Sequence, residues 1–451
     1  MKSPTVYILS LGCAKNSVDS ESMGGLLVRE GFRLTTDPRK AQVLVVNTCG
    51  FIGPAREESL ETLRRLAKGK QPGQLLIAAG CLTQRYGAEV AGQVDGIDGI
   101  LGTRRWMDIV QVVQTLRAGK SPSPLYHLPE GTALGMEANG IPRTALQGAS
   151  AYLKIADGCR RPCAFCAIPL IKGTAVSRSP ERILAEARSL QDQGIREIIL
   201  IAQDTTDYGH DLGLRDGLSH LISGLVAEAP GVDWLRVMYA YPGFVSDRLI
   251  EVMATHLACV HYLDMPLQHA HPSVLRRMRR PANVESVRRT LEKLRTAMPD
   301  IALRTTFLVG YPGETEAEFQ ELLDFVADAR FERVGVFTFS FELGTGSEPL
   351  GDPVPHEVKE ERRDRLMRLQ QGISLQSSQA QVGRSVRVLI EGKGDGISLG
   401  RSYRDAPEID GMVIVDGEIA PGIMADVLIT GAMTYDLSGV LVGQEGKTLK
   451  T

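Results

Sequence analysis

The sequence predicts an α/β protein in three parts: an N-terminal parallel α/β domain, a partial TIM-like (β/α)6 barrel, and a small C-terminal all-β barrel of OB-like size. Three observations predict it. Apolar, β-rich runs alternate with amphipathic stretches over most of the chain, the pattern of parallel strands joined by right-handed helical crossovers. The helical period vanishes after about residue 380, where short strands and glycine turns take over. At 451 residues the chain is too long for one compact core.

The first domain is expected over residues 1–120, with strands at 5–9, 42–46 and 75–79 and helices at 20–30 and 55–68. A linker rich in Pro, Gly and Ser follows at 121–149, including Ser121-Pro122-Ser123-Pro124 and the turn Asn139-Gly140-Ile141-Pro142. The second domain is expected over 150–378. Its strands lie at 152–156, 197–202, 234–240, 262–265, 302–309 and 333–339, with helices between them such as 316–329. Ser179-Pro180-Glu181 opens a helix, with Ser179 as N-cap and Pro180 at the first helical position. A polar helix at 357–377 leads out. The last domain, 379–446, reads as strands at 385–390, 412–415 and 425–429.

Composition sets the class. Charged residues make up 23% of the chain and hydrophobic ones 43%, as in a globular protein. No apolar run reaches the length of a membrane span, and no signal-peptide core follows Met1. A cytoplasmic protein with no membrane partner is therefore expected. Cysteines there stay reduced, so clustered ones point to metal. A net charge of −3 implies no partner by itself.

Six of the seven cysteines fall into two triads. Cys159, Cys163 and Cys166 form one C-x3-C-x2-C run, Cys-Arg-Arg-Pro-Cys-Ala-Phe-Cys. A cubane cluster has four irons, so three thiolates leave one iron open for a substrate or cofactor. The alternative is structural zinc, which needs a second knuckle or paired histidines; His210, His220 and His256 lack that spacing. Cys13, Cys49 and Cys81 each follow a predicted strand and each adjoin a glycine. In a parallel sheet all strand C-termini share one edge, so these three converge into a second site with one open position. The alternative is three buried free thiols. Cys259 sits in an apolar stretch and reads as core.

The triplet, with Phe165 before its last cysteine, resembles the signature of radical S-adenosylmethionine (SAM) enzymes. That resemblance implies a 4Fe-4S cluster whose open iron holds SAM. Strand-end candidates for the rest of the SAM site are Gln203, Asp204, Asp264, Gln268 and the turn Gly310-Tyr311-Pro312-Gly313-Glu314. Glu314 serves equally as a helix cap. His269 positions substrate or belongs to the core. The run Arg276-Arg277-Met278-Arg279-Arg280 is a phosphate contact or an acid-pairing helix face.

The whole pattern resembles the methylthiotransferases. The motifs Ser10-Leu11-Gly12-Cys13-Ala14-Lys15-Asn16, Asn47-Thr48-Cys49-Gly50-Phe51-Ile52 and Ala79-Gly80-Cys81-Leu82 carry the resemblance, and the C-terminal barrel resembles a TRAM domain. Within the family, Ile155-Ala156-Asp157-Gly158-Cys159 and the segment from Gly400 to Gly411 resemble the subgroup that methylthiolates the β-carbon of an aspartate in small-subunit ribosomal protein twelve. The resemblance implies two 4Fe-4S clusters and SAM in two roles, radical source and methyl donor. It also implies an electron donor such as a flavodoxin or ferredoxin, and a sulfur donor. A tRNA-modifying (MiaB-like) enzyme and a non-enzymatic iron–sulfur carrier are the alternatives. Between residues 391 and 436 there are nine carboxylates against three cations. That balance suits a basic protein substrate better than RNA, with Asp405, Glu408 and Asp410 as its expected acidic docking face.

Overall fold

The computed structural model describes residues 3–119, 123–132, 143 and 148–443. The linker motifs Ser121-Pro122 and Asn139-Gly140-Ile141-Pro142, and residues 444–446 of the last domain, lie outside the described residues.

The first domain contains β1 (Thr5–Ser10), α1 (Ala14–Arg29), β2 (Arg33–Leu34), β3 (Val43–Thr48), α2 (Gly53–Lys68), β4 (Leu75–Gly80), α3 (Cys81–Gln93), β5 (Gly99–Gly102), α4 (Ile109–Arg117) and β6 (Leu125–His127). The strands form one parallel sheet in the order β2-β1-β3-β4-β5-β6. β3 is buried along its whole length, as a strand covered on both faces must be. Val43 and Val45 pack with Leu26, Leu27 and Val112 on one face; Leu44 and Val46 pack with Leu60, Leu63 and Val90 on the other. α1 starts at Ala14, earlier than the expected residue 20, because Cys13 itself is the N-cap. Strand β6 lies within the stretch expected as linker and adds to this sheet.

The second domain contains β7 (Ser150–Lys154), β8 (Ala156–Asp157), α5 (Ile168–Lys172), β9 (Val176–Ser177), α6 (Pro180–Asp192), β10 (Glu197–Ile201), α7 (Gly217–Glu228), β11 (Trp234–Val237), α8 (Asp247–Thr255), β12 (Cys259–Asp264), α9 (Pro272–Arg277), α10 (Val284–Ala297), β13 (Ala302–Val309), α11 (Glu316–Ala329), β14 (Arg333–Thr338) and α12 (His356–Gln379). Six strands form an open parallel sheet, β14-β13-β12-β11-β10-β7. Spatial order follows chain order, so the sheet is a partial barrel that does not close. α11 carries a capping box, Thr315 with Glu318, so Thr315 rather than Glu314 caps that helix.

The last domain is a closed barrel of β15 (Ser385–Gly394), β16 (Ile397–Ser402), β17 (Val413–Asp416), β18 (Met424–Ala432) and β19 (Leu437–Leu441), in the order β15-β16-β17-β19-β18. β16 and β19 are additions to the expected strands.

The three domains meet inside the open barrel. Ile199, Ile201, Trp234, Met238 and Tyr262 of its concave face pack with Ala14 and Val18 of α1 and with Leu389 and Ala406 of the last domain. Buried charges fix this junction. Glu197 pairs with Arg236 at 2.8 Å and with Arg401 at 2.6 Å. Asp405 accepts from Arg333 at 2.5 Å, and Asp410 accepts from the Tyr262 hydroxyl at 2.7 Å. This corrects the expected acidic docking face. Asp405 and Asp410 are buried latches whose partners lie in the second domain, and of the three only Glu408 is exposed.

Burial pushes the Glu197 carboxyl up, but Arg236 and Arg401 outweigh it and hold it down at about 2, against 4.5 for a free side chain. A depressed carboxyl contributes stability above its unfolded value and loses it as pH falls toward the folded one. The Glu197→Ala variant leaves the buried Arg236 guanidinium without a carboxylate and Arg401 with only the part-exposed Glu391, 2.7 Å away. It should lose about 3–5 kcal/mol in denaturant unfolding. In the wild type, release of the last domain, read by limited proteolysis, should set in as pH drops below 4.5 toward 2.

Candidate active site: two cysteine triads at a domain interface

The second domain's cysteine loop is held at both ends. β8 and β9 pair antiparallel at its base, Ala156 with Ser177 and Asp157 with Val176. Gly158 turns the chain at a φ of 77°, and a Cβ there would stand 2.0 Å from the Thr174 carbonyl oxygen. Only glycine fits that approach. The Ala164 N–H donates to the Met278 carbonyl at 2.9 Å, tying the loop to the end of α9.

Donors converge on two of the three sulfurs. The Arg161 N–H reaches Cys159 Sγ at 3.4 Å, Arg280 Nη1 reaches Cys163 Sγ at 3.5 Å, and the Tyr241 hydroxyl lies 3.6 Å from Cys163 Sγ. The guanidinium groups of Arg161 and Arg280 also stack on the Tyr241 ring. Burial pushes the Cys159 thiol up to about 11 and Cys166 up to about 12. Thiols this buried bind metal only after losing a proton. The N–H donors aimed at sulfur stabilise the thiolate form. This surround fits an iron–sulfur cluster, whose potential such hydrogen bonds tune.

The first triad forms at the sheet edge of the N-terminal domain. Cys13 is the N-cap of α1 and Cys81 the first residue of α3, while Cys49 stands just ahead of α2. Helix N-termini favour thiolates. Gly12, at a φ of 93°, brings its loop so close that a Cβ would stand 2.8 Å from Cys49 Cβ. Asn16 ties the loops together: its Nδ2 donates to the Leu11 and Thr48 carbonyls at 2.8 and 3.1 Å. Burial pushes the Cys81 thiol up to about 12 and also raises Cys49. Among the described residues no three such side chains stand close enough to hold a single ion. A cubane spreads its ligands over four irons and asks for wider spacing. Cys259 is buried in β12, away from both triads, and belongs to the main core.

The loops that carry the two triads adjoin an interface of charge and apolar contact. Cys81 packs against Ala167 and Ile171, which follow Cys166. Beside them, Asp19 of α1 pairs with Lys154, and with Lys172 at 3.5 Å. Asp157 pairs with the same lysines at 3.2 and 2.9 Å. Burial pushes Asp157 up, and the two lysines outweigh it and hold it well below the usual carboxylate range. Arg85 adds a second link, a buried pair with Glu342 at 2.7 Å.

The expected SAM-site residues are distributed as follows. Gln203 donates to Asp157 at 3.0 Å and leaves its Oε1 buried without a partner. Asp204 is taken by Arg161 at 2.6 Å, and Asp264 by Arg304 at 2.8 Å. Gln268 sits at a φ of 73° and bridges to Phe307. Phe165 packs with Val274, Met278 and Tyr311. Gly310 and Gly313 both adopt positive φ. Glu314 accepts from the Tyr311 N–H at 3.1 Å and pairs with Arg362 at 3.1 Å, bracing the turn from inside. Burial pushes its carboxyl up to about 7. His269 is a core residue, its Nδ1 accepting from the His271 N–H at 2.9 Å. In the arginine run, Arg277 pairs with Glu318 at 2.8 Å. Arg280 turns to Cys163, a role that sequence reasoning missed, as it missed Tyr241 and Lys172.

Family models match all three parts. Residues 5–102 match Uncharacterized protein family UPF0004, 153–326 the Radical SAM superfamily, and 382–442 the TRAM domain. The ribosomal protein uS12 methylthiotransferase RimO of Roseiflexus sp. (strain RS-1) is 49% identical over 97% of each chain. The protein of the same name from Chloroflexus aurantiacus is 49% identical over 96% of this chain and 98% of its own. The chain belongs to the RimO family of methylthiotransferases. It is thus a radical SAM enzyme that uses an iron–sulfur cluster and SAM. Its fold is similar to that of TsrM from Kitasatospora setae, a radical SAM methyltransferase, with a TM-score of 0.56 at 14% identity over 77% of this chain and 74% of that one. No helix among the described residues is long and apolar enough to cross a membrane.

The separate placement of the two triads has a measurable consequence. Replacing Cys159, Cys163 and Cys166 together by Ala should leave about half of the iron bound after anaerobic reconstitution, as expected for four irons per site. Iron analysis of the purified variant checks it, with Cys259→Ala, expected to keep all its iron, as control.

Proposed function

We propose that this chain adds a methylthio group to the β-carbon of an aspartate in ribosomal protein uS12, using two 4Fe-4S clusters, one per triad. The observation that carries the reading is the juxtaposition of two incomplete ligand sets: Cys81 of one packs on the residues that follow Cys166 of the other. Near-full-length similarity to relatives named for that activity supports the choice of substrate.

When bound, the clusters and SAM supply a carbon-centred radical, a transferable sulfur and a methyl group. The chain supplies position and shelter. Cys159, Cys163 and Cys166 hold one cluster while Arg161, Arg280 and Tyr241 set the charge around it. Gln203 offers its free Oε1 to a SAM donor group, and Asp157 fixes that amide. Gln268 and the backbone of Gly310 and Gly313 line the rest of the SAM site, with Phe165 behind them and Asp204, Asp264 and Glu314 bracing it. Cys13, Cys49 and Cys81 hold the second cluster on the far side of the interface. A reduced flavodoxin or ferredoxin supplies electrons, and a separate donor supplies sulfur.

The test is mass spectrometry after anaerobic incubation with SAM and reductant, with uS12 and tRNA offered in competition. Methylthiolated aspartate in uS12 is expected; modified adenosine in tRNA instead would replace this reading with the tRNA-modifying one. Replacing Cys13, Cys49 and Cys81 together by Ala should abolish the methylthiolated product while 5′-deoxyadenosine still forms.

A further inference from the structure

Lys15 lies two residues beyond Cys13, in the first turn of α1. It keeps only 8% of its surface. Its Nζ stands 3.2 Å from the ring centroid of Tyr239, and among the described residues no carboxylate pairs with it. The natural counter-ion one helical turn on, Asp19, is shared by two other lysines: Oδ1 accepts from Lys154, and Lys172 Nζ lies 3.5 Å from Oδ2. Glu21 is turned to Arg143. A cation in the first helical turn also faces the positive end of the helix dipole. A buried ammonium without a counter-ion is costly, and a ring face offsets only part of that. The neighbouring carboxylates Asp19 and Glu21 are thus each committed to other cations.

Tyr239 comes from the other domain, just after β11. It is held at a φ of 61°, a conformation that non-glycine residues avoid and that clusters at functional sites. Two bonds impose it: the Tyr239 N–H donates to Asp264 Oδ2 at 3.2 Å, and its carbonyl accepts from the Thr205 N–H at 3.1 Å. The second domain thus presents a ring to a lysine of the first, beside Cys13.

We infer that Lys15 receives the side-chain carboxylate of the aspartate to be modified, and that this contact selects an acidic residue as substrate. The inference rests on the functional reading above. A carboxylate on Lys15 sets the adjoining β-carbon beside the first triad. The role is substrate binding and specificity; the ammonium transfers no proton.

The experiment uses the full chain with reconstituted clusters, without reductant, so that nothing turns over. Affinity is measured by calorimetry for uS12 and for uS12 with the target aspartate changed to Asn. Wild type should prefer the aspartate form by about tenfold or more, the effect of one charge-assisted contact. Lys15→Met should bind both forms within about twofold of each other, and Lys15→Arg should keep the preference. Lys15→Gln, neutral but polar, repeats the comparison, and iron content and melting temperature identify any variant that has not folded. An undiminished preference in the neutral variants overturns the inference, as does equal weakening of both forms. Weakened SAM affinity with the preference intact also overturns it and assigns the charge to the carboxylate of SAM. A wild type that binds but never methylthiolates uS12 fails the functional reading instead, whatever the charge preference.

Discussion

The buried quartet of Asp19, Lys154, Asp157 and Lys172 is the constraint on which the rest of the active region depends. Each member stands next to a working part. Asp19 lies on the helix that Cys13 opens, and Asp157 precedes the turn into Cys159. Lys172 ends the helix after Cys166 and its charge favours the Cys81 thiolate, while Lys154 ends the first strand of the partial barrel. Two acids and two bases alternate, so the group is neutral as a whole and needs no outside counter-ion. Buried ion pairs contribute little net stability against well-packed apolar side chains, yet losing one member costs about 3–5 kcal/mol. The quartet therefore acts on register more than on stability: any other docking of the two domains strands a charge.

The far end of the partial barrel is governed by the same rule with different residues. An open parallel sheet leaves its concave face unfilled, and six strands do not close it. The segment from Tyr403 to Asp410 fills that space, with Ala406 fully buried against the strands. Arg236, Arg304 and Arg333 rise from the sheet to meet Glu197, Asp264, Asp405 and Asp410. The small C-terminal barrel is for this reason part of the enzyme's interior wall.

Much of this was legible in the sequence because chemistry depends on residue type. Six cysteines after strand ends pointed to two candidate sites, and alternating apolar runs announced two parallel sheets. Lost from view was whatever depends on partners distant in the chain. Asp405 and Asp410 read as surface acids, since their arginine and tyrosine partners lie more than a hundred sequence positions away or in another domain. Arg280 belonged to a run that composition treats as one helix face, although its members separate: Arg277 goes to Glu318 and Arg280 to a thiol. Helix α1 was placed too late because Asn16 and Ser17 weaken helix propensity, whereas tertiary packing starts it at the cysteine. β16 and β19 were hidden by glycines at 400 and 439, whose bare backbones lie against the neighbouring strand.

The packing of Cys81 on Ala167 and Ile171 also bears on how the protein is made. Residues 13, 49 and 81 leave the ribosome well before the helix that walls their site. Until that helix arrives, the first triad stands open to water on one side and its thiols lack the neighbours that bury them. The N-terminal domain can therefore form its sheet early, but its cofactor pocket matures only when the second domain docks. Synthesis from N- to C-terminus thus imposes a schedule in which the surroundings of the two cysteine triads are completed together.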